Sequence, residues 1–324
     1  MLRWAGVPAV VFVLAFAGSL TWLMVDQDDD PGGAPTRARG APVPADGTGR
    51  LVVTHTPAVD DADNGFVGSL RLDGSGRRNL VEPRAGEPAS NGSPAVSPSA
   101  RSVAFQRAIA GPNGPGVPFI YLMPLDGSRA EARLTGGAAP EIDPAWSPDG
   151  ERIAFARQVH GRFELFSCRL DGSGLARLTN TPKVDEVSPA WSPDGARSAF
   201  SRYESGREHG SGDLWTADAE GGRERMLLGD VHDYAGASWS PDGRRIALLK
   251  DSMVAVMDAD GGAPRPLTRA GDFKESRPHW SADGRRLAFT RDPGKILTMD
   301  SDGTHLRRTP FDASANGVDW VPAR

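Results

Sequence analysis

The chain has 324 residues, 39 of them glycine and 27 proline, with 24% charged residues and a formal net charge of −5. No basic excess exists to attract nucleic acid or an anionic lipid surface, so neither is expected to be recognised by charge. Cys168 is the one cysteine, which excludes an internal disulfide and leaves a small buried thiol as its expected role.

The first element is apolar. After a three-residue stub, Trp4 to Val25 gives 22 residues without a charge, preceded by Arg3 and followed by Asp26, Asp28, Asp29 and Asp30. About 20 apolar residues span a bilayer, and the basic flank stays in the cytoplasm. Residues 4–25 therefore read as a single-pass anchor that places the rest of the chain on the extracytoplasmic side of a cell membrane. A cleaved signal peptide is the rival, because Ala15-Phe16-Ala17 resembles a cleavage site. The run continues through Leu20, Trp22, Leu23 and Val25, beyond a short signal core, which favours the anchor. Residues 26–48, rich in Asp, Pro and Gly, read as a flexible linker.

Residues 49–324 carry a repeat. The sequence reads PAVSPSARSVAF from Pro94, PAWSPDGERIAF from Pro144, PAWSPDGARSAF from Pro189, ASWSPDGRRIALL from Ala237 and PHWSADGRRLAF from Pro278. The aligned positions Val96, Trp146, Trp191, Trp239 and Trp280 stand 41 to 50 residues apart, the range of one four-stranded propeller blade. In Ser-Pro-Asp-Gly, Pro fixes φ at the first corner and Gly takes the left-handed position that closes a hairpin. A second hairpin follows in each unit, as in YLMPLDGS from Tyr121, LFSCRLDGSG from Leu165 and ILTMDSDGT from Ile296.

The sixth unit is split. VDWVPAR from Val318 supplies its first strand, while Gly49 to Val53 and FVGSLRLDGSGRRNLV from Phe66 supply the remainder. The expected fold is all-β: a six-bladed propeller of four-stranded blades, closed by a blade shared between both chain ends and preceded by one transmembrane helix. A shared blade leaves no sheet edge unpaired at the closure.

On these residues the chain resembles the TolB-type propellers, whose blades carry WSPDG followed by an R-I-A-F strand. The resemblance covers residues 49–324 and implies the fold. The α/β domain that precedes the TolB propeller is not found here.

Enzymatic signatures are missing from the sequence. No serine lies in a G-x-S-x-G elbow, and the six histidines have no metal-ligand spacing, so no cofactor, metal or catalytic residue is expected. The Asp-rich turns at Asp258 and Asp300 coincide with hairpins and lack the closing glutamate of a calcium loop.

Both repeated hairpins fall on one rim of a propeller, so the irregular loops share the other, where binding groups are expected. Five residues before the tryptophan position, on the loop leading to the innermost strand, stand Asn91, Glu141, Glu186, Tyr234, Glu275 and Ala315. Three glutamates converge there, with Asp143, Asp185 and Asp233, offset by Lys183 and Arg277 and flanked by His232. One reading has each glutamate pair with an arginine or cap local backbone groups, holding adjacent blades together. The other makes an acidic channel mouth for a basic peptide or cationic ligand. The expected function is non-catalytic binding of a protein or peptide partner in the cell envelope. The alternatives are a lyase or hydrolase acting on cell-surface carbohydrate, and a structural envelope component.

Overall fold

A computed structural model describes residues 49–55, 66–81, 89–109, 116–204, 211–232, 236–271, 275–291, 294–312 and 317–322. The expected anchor at 4–25 and linker at 26–48 lie outside them.

Six four-stranded antiparallel sheets form the six blades. Numbered along the chain, blade 1 spans residues 89–133, blade 2 residues 141–177, blade 3 residues 184–232, blade 4 residues 238–266 and blade 5 residues 279–312. Blade 6 joins Val318–Val321 to Arg50–His55, Phe66–Arg71 and Arg78–Val81, in that spatial order. Strands are lettered A to D from the innermost outward. The expected split blade is present, with Leu51 opposite Trp320 and Arg50 opposite Val321.

Each turn of the repeat holds itself and its neighbour. In Ser147, Ser192 and Ser240 the hydroxyl donates to the aspartate two residues on, at 2.5 Å. It also accepts the backbone N–H five residues on, at 2.9 Å. Those serine bonds, followed by a backbone N–H, hold the carboxyls of Asp149, Asp194 and Asp242 below the usual carboxylate range. The glycine of the turn lies at positive φ and packs on the preceding blade. A Cβ at Gly195 would stand 3.2 Å from Pro148, and one at Gly243 would stand 3.3 Å from Pro193. Glycine is thus required twice over at these positions, for its torsion and for its missing side chain.

The core lies in the seams between blades. Phe105, Phe155, Phe200, Leu248 and Phe289 occupy one position of strand B around the ring, each with no solvent exposure. Burying such a side chain contributes about 1.5–3 kcal/mol. Cys168 lies in the seam formed with Phe155, Phe166 and Ile120. Desolvation there pushes its thiol up to about 11, so the sulfur is a packing atom and a poor nucleophile at neutral pH.

Candidate functional site

The three glutamates belong to the wall of the propeller. Glu141 opens the strand Glu141–Trp146, Glu186 lies inside Val184–Trp191, and Glu275 bridges to Arg291. The loop positions expected for them are therefore corrected to backbone pairing: strands A of blades 2 and 3 extend past a bulge toward the loop rim, and Glu275 forms an isolated bridge ahead of the short strand A of blade 5.

Each glutamate pairs across the sheet with an arginine sixteen residues on, on strand B. Arg157 reaches Glu141 at 2.6 Å, and Arg202 and Arg291 reach Glu186 and Glu275 at 2.5 Å. All three glutamate side chains have zero exposure. At two junctions a threonine ending the previous blade also donates to the glutamate: Thr135 to Glu141 at 2.5 Å and Thr268 to Glu275 at 2.6 Å. Arg202 is shared further with Glu224 at 2.6 Å. Blade 1 has Asn91 at this position, and its Arg107 turns to Glu131 at 2.7 Å. An open acidic mouth would display these charges, whereas here they are neutralised inside the wall.

A second ring forms three residues before the tryptophan position, at Ser93, Asp143, Ser188, Gly236, Arg277 and Gly317. Ser93, Asp143 and Ser188 have φ of 46°, 54° and 56°, the left-handed corner of the bulge in each strand A. Asp143 accepts Ser93 Oγ and Ser188 Oγ, both at 2.8 Å. Arg277 of blade 5 donates to Ser188 Oγ at 2.8 Å and stands 3.8 Å from Asp143 Oδ1. It crosses blade 4 to do so, passing over Gly236, where a Cβ would lie 1.9 Å from Nε of Arg277. Blades 1, 2, 3 and 5 are thus tied at the channel by one polar belt. Asp143 and Arg277 were expected at the mouth as separate charges. Ser93, Ser188 and Gly236 carry no functional signature and were not singled out in the sequence, although their fixed offset from the tryptophan identifies them.

Of the other expected residues, Lys183 and Asp185 take no part in the belt. Lys183 is exposed on the loop rim, and half-buried Asp185 accepts the N–H of Phe163 at 2.8 Å. Strand D of blade 3 ends at His232, while Asp233 and Tyr234 lie outside the described residues. Among the described residues no group of three or more His, Cys, Asp or Glu side chains is placed to hold a metal ion.

This architecture defines a six-bladed β-propeller of four-stranded blades, a fold shared with TolB structures. Solved structures with the same fold include TolB from Acinetobacter baumannii, at a TM-score of 0.65 and 23% identity over 86% of this chain and 68% of that one. A putative TolB from Agrobacterium tumefaciens matches at 0.61 and 18% identity, over 85% and 98%. A chain from a nidogen/laminin complex matches at 0.67 and 12% identity, over 85% and 99%. No protein-family profile matches the sequence. A curated relative, an uncharacterized protein of Agrobacterium fabrum, is 39% identical over 62 residues, which span 19% of this chain and 21% of that protein.

Proposed function

We propose that this propeller is a non-catalytic binding module that holds a protein or peptide partner on its loop rim and channel mouth. The observation that carries this reading is the state of the inner-wall carboxylates. Glu141, Glu186 and Glu275 are each held by an arginine, and Asp143 by two serines and Arg277. Acid/base catalysis needs a carboxylate within reach of substrate. Such groups instead brace a rigid support for the irregular loops, which is the usual arrangement of a recognition surface. Likeness in fold to TolB and to a chain of a nidogen/laminin complex supports a protein as the partner. The uncharged run at 4–25 supports a membrane tether with the propeller on the extracytoplasmic side.

The test is site-specific photocrosslinking of the full-length chain in cells. A crosslinker at Lys183, on the loop rim, is expected to give a discrete protein adduct, and one at Asp302, on the turn rim, is not expected to give that adduct. No adduct from Lys183, or the same adduct from both sites, overturns the reading.

A further inference from the structure

At three junctions the arginine that begins strand B lies over the tryptophan of the next blade. Arg197 stands 5.0 Å from the Trp239 ring centroid, Arg245 4.7 Å from that of Trp280 and Arg286 5.4 Å from that of Trp320. In each case the arginine faces an aspartate on strand C, namely Asp218, Asp258 or Asp300. The indole N–H of each of these rings also donates to a carbonyl of the preceding blade, at 2.9 to 3.2 Å.

Between blades 2 and 3 this ladder is broken. Arg152 faces Arg169 on strand C, and like charges directly opposite repel. Its guanidinium turns onto its own blade, donating to Ser167 Oγ at 2.7 Å and to the Gly174 carbonyl at 3.2 Å. Blade 6 shows the same substitution, with Arg50 facing Arg71 and donating to Ser69. There the next blade has Val96, so no ring is uncovered. Trp191 is partly exposed, and its buried indole N–H has no partner among the described residues. A cleft of about 710 Å³ opens beside it, bordered by Arg152, by Arg177, which is paired with Glu164 at 2.5 Å, and by the carboxylates of Asp149, Asp194 and Glu220.

We propose that this cleft receives an arginine side chain of a peptide or protein partner, its guanidinium stacking on Trp191 as Arg197, Arg245 and Arg286 stack on Trp239, Trp280 and Trp320. A planar guanidinium can stack flat on the aromatic face while its forked donors reach the carboxylates around it, whereas an ammonium is a compact point charge without that plane or fork. The cleft is wide enough for the main chain on either side of the arginine. It lies on the turn rim, opposite the loop rim, so it stands independently of the function proposed above.

The test uses the full-length chain labelled with ¹⁵N-tryptophan, the Trp191 indole resonance being assigned from Trp191→Phe. Titration with N-acetyl-arginine methylamide is expected to shift that resonance saturably, with a Kd no tighter than about 1 mM. The leucine analogue is expected to cause no shift, and the lysine analogue to bind at least about threefold more weakly. Arg169→Asp recreates the arrangement of blades 3 to 5 and brings Arg152 over Trp191, so arginine affinity is expected to fall at least about tenfold. This variant retains the turn and tests closure of the cleft without disturbing the core. Absence of a saturable shift, an equal response to leucine or lysine, or undiminished binding by Arg169→Asp overturns the proposal.

Discussion

Gly236 is dictated by a side chain from another blade. Arg277 occupies the space its Cβ would need, at 1.9 Å from Nε, and thereby reaches Ser188 and Asp143. Gly236→Ala is expected to push Arg277 out of the belt and cost about 1–3 kcal/mol, as overpacking at a tight site does. Arg277→Ala removes the obstruction together with the belt. The double variant is then expected to be more stable than the sum of the single losses predicts, by about 0.5–3 kcal/mol. Denaturant midpoints of the four proteins measure this coupling, and additive losses would mean that Arg277 does not hold its place over Gly236. The contact was hidden in the sequence. Positions 143, 188 and 277 lie on three different blades, and nothing local in their surroundings predicts that one arginine bridges them.

The repeating element joins threonine, glutamate and arginine across a blade junction. Arg157 donates to Glu141 through both Nε and Nη2, and Thr135 adds a third bond from the preceding blade. Removal of one partner of a buried pair leaves an uncompensated charge, so Arg157→Ala is expected to cost about 3–5 kcal/mol. Arg157→Lys restores only part of this, because a single ammonium cannot replace the two-nitrogen contact. Thermal unfolding distinguishes these outcomes; a fully stable Arg157→Ala protein would show that Glu141 is not held by this pair. Much of this element was legible in sequence. The WSPDG turns declare themselves because Pro, Asp and Gly act within four residues, and the periodic glutamates stand at a fixed offset from tryptophan. Their exact surroundings were not legible, since the bulge at Asp143 shifts the register between Ile142 and Ala145 and carries Glu141 from the expected loop into the ladder. Likewise, the exchange of aspartate for Arg169 that uncovers Trp191 matters only once Arg152 is known to face it.

At the scale of the whole molecule, closure depends on four residues from the end of the described chain. Val318–Val321 pairs with Arg50–His55 and supplies the innermost strand of blade 6. Trp320 is 5% exposed and donates to the His279 carbonyl of blade 5 at 2.9 Å. Asp319 joins both neighbours, accepting the N–H of Val96 in blade 1 at 2.8 Å and standing 3.2 Å from His279 Nδ1 in blade 5. The ring therefore shuts through one short strand that contacts three blades. Trp320→Ala is expected to cost about 3–5 kcal/mol, the range for truncating a buried aromatic. The loss should also open the sheet edge at Arg50–His55, whose unpaired N–H and C=O groups then invite pairing between chains. Concentration-dependent self-association is thus expected to accompany the lower melting temperature. Scanning calorimetry and sedimentation on the same samples separate the two effects. An unchanged melting temperature would show that the terminal strand does not latch the ring, while destabilisation without self-association would show that the edge stays protected when the latch weakens.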